Sequence, residues 1–238
     1  LARSDTGIDS FPSVAATGSG ANGLLFIVWM STEDLAGAGT DWDILGTVIG
    51  GPSLFPPINA AYLVNSAAAV DGAASDRMPS LCVEPGGVLH CIWQSNYNLG
   101  GTVGADMDIF HSLNATNGGE WSGMELLGLN GLFDLPAADD IMPSMLATDN
   151  GLLSAVWESM DDYGGTYGTD ADIFHALGLA KLFSRPAPIN TSAQFDNPAV
   201  GFDFDRSPRF AVDPQGVLHA VWEGQYAGLA GGLAGADG

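Results

Sequence analysis

The residues best suited to chemistry are three pairs of aspartates, each pair two residues apart and directly before an apolar segment. The pairs are Asp41 and Asp43, Asp106 and Asp108, and Asp170 and Asp172. Carboxylate oxygens bind hard cations, and a divalent ion relieves the repulsion among clustered acids. The sequence therefore predicts Ca²⁺ at one or more of these loops, on Asp161, Asp162, Asp170 and Asp172 or on Asp106 and Asp108. In the alternative interpretation, an aspartate at a strand entry ties down the preceding loop through backbone N–H groups.

Two glutamates form a second candidate group. Glu158 and Glu223 each follow a tryptophan that ends an apolar segment. A glycosidase needs two carboxylates about 5 to 10 Å apart. Because the chain holds 28 acidic residues, some pair will meet this distance by chance, and we assign no catalytic residue from the sequence.

The histidines and cysteines are interpreted as packing residues. His90 stands where another copy of its segment has Phe, and no Cys or His pair has zinc spacing. Pairing across the turn after Cys82 places that residue opposite Leu89. It places Cys91 opposite Ser80, so that the two sulfurs lie diagonally on one face. The sequence therefore allows two states of the cysteines, either two buried free thiols or one strained disulfide.

A unit of about 65 residues is repeated along the chain. Asp-x-x-Pro occurs at 9–12, 76–79, 140–143 and 205–208, each time before a glycine-containing turn and an apolar strand. Each of these strands ends in a tryptophan, with spacings of 64, 64 and 65 residues: Trp29, Trp93, Trp157 and Trp222. The Asp-x-Asp pair opens a third strand, and the last element carries an aromatic residue and an asparagine. These are Phe55 and Asn59, Trp121 and Asn130, and Phe183 and Asn190.

Each unit therefore predicts four strands, A to D, in modules 8–74, 75–138, 139–204 and an incomplete 205–238. Strand B is apolar at nearly every position, which indicates burial on both faces. Four-stranded units repeated around an axis make a β-propeller, so the predicted fold is an all-β propeller of about 3.5 modules, residues 1–238. A β-sandwich is the alternative, but it does not predict four matched tryptophans.

Propellers usually place recognition on one rim, and the loops between strands B and C are rich in glycine. Their aromatic residues are the ligand-binding candidates: Trp42, Tyr97, Tyr163, Tyr167 and Tyr226.

The composition excludes some classes of function. With 6 Lys and Arg against 28 Asp and Glu, the formal net charge of -22 argues against binding nucleic acid. No apolar run approaches the length that crosses a bilayer. The scarcity of lysine, together with abundant aspartate and alanine, suits an exported or a salt-tolerant protein, and we expect an extracellular, periplasmic or cell-surface location.

The order of these motifs resembles that of the sialidase-like propellers built of Asp-box repeats, over essentially the whole chain. The segments that carry the resemblance are Pro-Ser, Gly-Val-Leu-His-x-x-Trp, Asp-Ile-Phe-His-Ser and Asn-Gly-Gly-x-Trp-Ser. The Asp-box, Ser-x-Asp-x-Gly-x-x-Trp, is matched at Gly118 and Trp121. Asn114 and Thr116 replace its Ser and Asp.

The resemblance implies the sialidase site, in which three arginines grip a carboxylate, a glutamate activates a tyrosine and an aspartate serves as the acid. Arg77 and Arg206 match the Arg-x-Pro entry of that family in shape. Three convergent arginines are hard to assemble from a chain with 6 basic residues. We therefore expect these two to brace carboxylates of a neighbouring module.

The fourth module stops after its strand B, so either the natural chain continues or a protein partner or second copy completes it. These observations predict a non-catalytic, exported scaffold or recognition subunit that binds protein through its rim loops or open blade edge. The alternative is a carbohydrate-active, sialidase-like hydrolase or a lectin-type propeller that binds sugar.

Overall fold

The computed structural model describes residues 7–18, 23–50, 60–115, 120–132, 137–162, 166–167, 170–190 and 204–225. These residues form antiparallel sheets and one short 3-10 helix, Leu127–Leu132. The first two sheets contain β1 Asp9–Thr17, β2 Leu24–Ser31, β3 Asp43–Gly50, β4 Tyr62–Leu63, β5 Asp76–Val83, β6 Leu89–Ser95, β7 Asp108–Asn114 and β8 Glu125–Leu126. The others contain β9 Asp140–Ala147, β10 Leu153–Ser159, β11 Asp172–Leu179, β12 Leu182–Phe183, β13 Ala187–Pro188, β14 Phe204–Val212 and β15 Leu218–Gln225.

The sheets are blades of a β-propeller, as predicted. Blade 1 has the order β1-β2-β3-β4, blade 2 has β5-β6-β7-β8, and blade 3 has β9-β10-β11 with β12 and β13 both on β11. Blade 4 consists of β14 and β15 in the described residues. Contacts between β1 and β5, β5 and β9, and β9 and β14 join the first strands of successive blades. Each sheet lies in one predicted module, except that β14 begins at Phe204; the module boundaries themselves stay a prediction.

The second strand of each blade shows why the repeat is apolar on both faces. Every residue of β6 and of β10 is buried, because a neighbouring blade covers each side of the sheet. Trp93 and Trp157 are fully buried, so the repeated tryptophans serve the cores between blades. Side chains of β15 are mostly exposed instead.

The Asp-x-x-Pro motif forms a β-bulge at the start of the first strand of each blade. The residue before each proline has a positive φ, between 50° and 56°: Phe11, Met78, Met142 and Ser207. The register between the first two strands shifts at this point in all four blades. Proline cannot donate to the ladder, which suits it to the bulge.

The serine after the proline links neighbouring blades. Ser13 Oγ accepts the Leu81 N–H at 3.0 Å, and Ser80 Oγ accepts the Met145 N–H at 2.9 Å. The repeated Pro-Ser dipeptide thus makes a bulge and a bridge to the next blade.

The outermost strands are short, with two residues each in β4, β8, β12 and β13. Phe183 lies in β12, whereas Trp121 precedes β8. Phe55 and Asn59 lie outside the described residues. In blade 1 the aromatic residue of the outer strand is Tyr62, whose ring packs against Gly46.

The predicted register around the cysteines is wrong by one residue. Cys82 lies opposite His90, and Cys91 lies opposite Leu81. Since a shift of one residue moves a side chain to the other face, Cys82 joins the core between blades 2 and 3 and Cys91 the core between blades 1 and 2. Both thiols are free, and burial raises the pKa of Cys82 to about 12.

Candidate functional site: blade junctions and the propeller axis

A buried asparagine joins blade 3 to blade 4. Asn190 Nδ2 donates to Asp172 Oδ1 at 2.6 Å and to Asp205 Oδ2 at 2.7 Å, and its Oδ1 accepts the Ile173 N–H at 3.3 Å. Asp205 Oδ1 accepts the Trp222 Nε1–H at 3.0 Å. The second aspartate of the Asp-x-Asp pair, the Asp-x-x-Pro aspartate and the repeated tryptophan therefore belong to one network.

The same network joins blade 1 to blade 2 around a different asparagine. Asn65 Nδ2 donates to Asp43 Oδ1 at 3.0 Å and also to Asp76 Oδ2, while Asn65 Oδ1 accepts the Ile44 N–H at 3.3 Å. Asp76 Oδ1 accepts the Trp93 Nε1–H at 2.9 Å. Sequence reasoning missed Asn65, although the Asp and Trp 17 residues apart in three of the four copies were a signal that the two side chains meet.

Backbone bonds repeat at all three junctions. The N–H of the Asp-x-x-Pro aspartate donates to the residue between the paired aspartates: Asp76 to Trp42 O at 2.7 Å, Asp140 to Met107 O at 2.6 Å and Asp205 to Ala171 O at 2.6 Å. The second aspartate of each pair is buried as well: Asp43, Asp108 and Asp172. The pattern seen in the sequence thus encodes a contact between blades.

At the junction of blades 1 and 2, Asp71 adds a third carboxylate to those of Asp43 and Asp76. One oxygen each from Asp43, Asp71 and Asp76 lies within 4.8 Å of the others. Burial is the main cause that raises the pKa of Asp43 to about 7, of Asp71 to about 6 and of Asp76 to about 8. Nearby carboxylates raise these pKa values further, so the site strongly disfavours three bare negative charges.

The other predicted Ca²⁺ ligands belong to the second and third modules. Asp172 bonds to Asn190 at the junction of blades 3 and 4, and Asp170 lies two residues before it in the chain. The Asp161 N–H donates to Ser159 Oγ at 3.2 Å, and the Asp162 carbonyl accepts the Thr166 N–H at 2.8 Å. Burial raises the pKa of Asp106. Within the part of the chain that the structure describes, these residues do not form a compact group of three ligands. Their binding of Ca²⁺ stays a prediction.

A cavity of about 270 Å³ lies on the propeller axis beside the bulges. Its wall carries the Pro-Ser dipeptides of three blades and Arg209 of the fourth. Arg209 stands where the other blades have serine, and its Nη1 donates to the Pro208 carbonyl at 2.7 Å. A second axial cavity of about 440 Å³ lies at the turns between the first two strands of blades 1 to 3.

Glu158 is buried and contacts the bulge of blade 4. Its Oε2 accepts the Ser207 N–H at 3.3 Å, and its Oε1 lies 3.6 Å from Arg206 Nε. Burial raises the pKa of Glu158, and the charge of Glu223 raises it further. Gln94 makes the equivalent contact one blade earlier, where its Oε1 accepts the Met142 N–H at 2.9 Å. A neutral amide therefore suffices for this bridge between blades.

The two candidate arginines differ in their surroundings. Arg206 braces a carboxylate of the neighbouring blade, as expected. Arg77 instead donates from Nη2 to Ser75 Oγ at 3.2 Å and lies 6.0 Å from the centre of the Trp42 ring.

The aromatic candidates that the structure describes are partly buried. Trp42 and Tyr97 pack against the core between blades 1 and 2, and Tyr167 packs against the next core with its ring edge-on to Phe174 at 5.7 Å. These three residues thus pack against two different cores, and Tyr163 and Tyr226 lie outside the described residues. Ligand binding by this set stays a prediction.

A buried pair of histidines leads from the second axial cavity into blade 2. His90 Nε2 lies 2.8 Å from Glu84 Oε1, and His90 Nδ1 lies 3.0 Å from His111 Nε2. Because the carboxylate can only accept, His90 donates from Nε2 and accepts from His111 at Nδ1. Burial lowers the pKa of both rings, that of His111 to about 3, so both are neutral near pH 7.

No protein-family model matches the sequence, and no curated protein matches it. Several solved structures share its fold. A Hadza microbial sialidase is 13% identical with a TM-score of 0.62, over 90% of this chain and 42% of its own. A protein of unknown function from Dyadobacter fermentans is 13% identical with a TM-score of 0.61, over 95% of this chain and 64% of its own. The α-L-arabinanase of Penicillium chrysogenum, solved with arabinobiose, is 14% identical with a TM-score of 0.58, over 88% and 57%.

This chain thus spans between 42% and 64% of the length of these similar structures. At such low identity the likeness concerns the fold. Among the described residues, no helix is long and apolar enough to cross a membrane. The fold of this chain is that of the sialidase-like β-propellers.

Proposed function

We propose that this chain is the carbohydrate-binding propeller of a carbohydrate-active protein, and that a saccharide occupies the axial cavity beside the bulges. The observation that carries the proposal is the wall of that cavity, to which Ser13, Ser80 and Ser144 contribute together with Arg209. Ligand sites in proteins are concave, with a few convergent polar groups. A volume of about 270 Å³ suits one sugar ring better than a macromolecule.

Two further points support a carbohydrate. The similar structures include a sialidase and an arabinanase complexed with arabinobiose. In addition, Glu158 has a raised pKa beside the bulge of blade 4, which is the property that a glycosidase acid requires. Because Gln94 makes the equivalent contact in the preceding blade, Glu158 has a structural role, and the proposal concerns the binding of a sugar and not its hydrolysis.

The test is calorimetric titration of the full chain with arabinobiose, xylotriose and sialyllactose. The repeat itself supplies the variant Arg209→Ser, which restores the residue of the other three blades. Arg185→Ser, at an exposed arginine on the outer part of blade 3, is the control. We expect one saccharide to bind the wild type and the control equally, and binding to Arg209→Ser to weaken about tenfold or more, as for loss of a charged hydrogen bond. Absence of heat with every sugar, or an unchanged affinity in Arg209→Ser, contradicts the proposal.

A scaffold that binds protein is the second candidate, because apolar side chains are exposed on the two blades at the ends of the described series. In blade 1 Phe11 is 54% and Val14 53% exposed, and in blade 4 Val217 is 52% and Val221 66% exposed. Faces of this kind are covered between the other blades. If a second copy covers them, sedimentation equilibrium will show a concentration-dependent dimer that Val221→Asp abolishes. A monomer at every concentration contradicts the second-copy form of this candidate.

A further inference from the structure

We propose that Asp43, Asp71 and Asp76 bind one hard divalent cation, Ca²⁺ by ligand type, at the junction of blades 1 and 2. The three residues come from separate parts of the fold. Asp43 begins β3, Asp76 begins β5, and Asp71 lies in the connection between the two blades.

The geometry fits one ion. One carboxylate oxygen of each residue lies within 4.8 Å of the other two. Ca²⁺ binds oxygens at about 2.3 to 2.6 Å, so two ligands on opposite sides of the ion are separated by up to about 5 Å. Three oxygens at these separations can therefore share one Ca²⁺, with water supplying its other ligands.

The bonding of these oxygens is incomplete, which is an observation independent of the clustering of charge. Asp43 is fully buried, yet its Oδ2 has no hydrogen-bond partner among the described residues. Both oxygens of Asp71 are shielded from solvent and find no donor from another described residue. A buried carboxylate oxygen without a donor carries a large desolvation cost, which direct coordination to a cation removes.

Among the described residues, the charges that act most strongly on Asp43 and Asp76 are negative. The charged groups that act on Asp43 are Asp34, Asp41 and Asp71, all acidic. Those that act on Asp76 are Asp43 and Asp71. Ligands that are all oxygen, with several carboxylates, select a hard ion such as Ca²⁺ over Zn²⁺ or copper.

The backbone holds the third ligand in place before any ion arrives. The connection turns tightly after Asn65, where the Asp71 N–H donates to the Ala67 carbonyl at 3.0 Å. Gly72 follows with a φ of 83°, a conformation that favours glycine. Asn65 meanwhile fixes Asp43 and Asp76 through its amide. The ion would therefore join two blades that already meet at this point, and would stabilise their junction.

The experiment uses the full chain after treatment with a chelator. Terbium, a luminescent substitute for Ca²⁺, reports binding directly, because Trp93 bonds to Asp76 and will sensitise its emission. We expect saturable emission with one ion per chain, displacement by Ca²⁺, and a higher melting temperature in Ca²⁺ because the ion binds only the folded state.

Asp71→Asn is the decisive variant, because it removes a charge without removing a protein hydrogen bond that holds the blades. It should fold, and its affinity for Ca²⁺ should fall at least about tenfold, since the number of charged ligands sets the affinity. Asp149→Asn, at an exposed turn, is the matched control and should bind as the wild type does. Equal affinity in Asp71→Asn and wild type means that the ion binds the acidic surface elsewhere and overturns the proposal. So does the absence of sensitised emission in the wild type.

Discussion

The asparagine between blades 3 and 4 provides a sharp test of how the propeller is held together. Asn190→Ala removes three hydrogen bonds at once, to Asp172, to Asp205 and from the Ile173 N–H. Each of these buried groups then loses its bond to Asn190. An unsatisfied buried group costs about 1 to 3 kcal/mol. Because neighbouring groups relax together and water enters partly, we expect a total loss of about 3 to 5 kcal/mol, a large part of the stability of a typical domain.

The measurement is urea denaturation at pH 7, followed by the fluorescence of the buried tryptophans. Asn190→Asp should be less stable than Asn190→Ala at pH 7, because it adds a third carboxylate to Asp172 and Asp205, and it should recover as the pH is lowered and the acids are protonated. Gln215→Ala, at an exposed turn, serves as the control and should change stability by less than about 0.5 kcal/mol. A loss below about 1 kcal/mol in Asn190→Ala would refute the reasoning that this network holds the blades.

Two further predictions concern buried titratable groups. Glu158→Gln should be at least as stable as the wild type above the ordinary pKa range of glutamate, and its advantage should grow with pH, because a raised pKa means that ionisation of Glu158 destabilises the fold. Glu158→Ala should lose stability, since the Ser207 N–H loses its acceptor. Urea midpoints of the three proteins, measured from pH 4 to 8, test both expectations. A Glu158→Gln variant that is less stable than the wild type at pH 8 counts against the equivalence with Gln94. The lowered pKa of His111, about 3 against 6.5, implies that stability is lost as the pH falls from about 6.5 towards 3. His111→Phe should reduce this loss of stability between pH 6.5 and 3, as measured by urea midpoints. It should also lower the stability at pH 7, because His90 loses the donor of a buried hydrogen bond. An unchanged dependence of stability on pH would show that His111 is not its source.

The repeat explains how much of the fold could be predicted from the sequence. Strand B is apolar along its whole length because two blades cover it, and that requirement is visible in any one copy. Four tryptophans at nearly constant spacing then indicate repeated sheets around an axis, as the structure confirms. The Asp-x-x-Pro motif was recognised as a repeat, but its bulge was not predicted, since a positive φ at Phe11, Met78 or Met142 contradicts the preference of those residue types.

The candidate sites depended on contacts that the sequence does not display. Asp71 meets Asp43 and Asp76 only because the connection between two blades folds back over their junction. Asn65 reaches the same junction from that connection, since a loop can deliver an amide from more than one position. The sequence by itself determined the strands, their order and the blades, because burial on alternating or on both faces is a local property of each segment. Which polar groups meet, and on which face Cys82 and Cys91 lie, was decided by strand register and blade packing, which a shift of one residue changes.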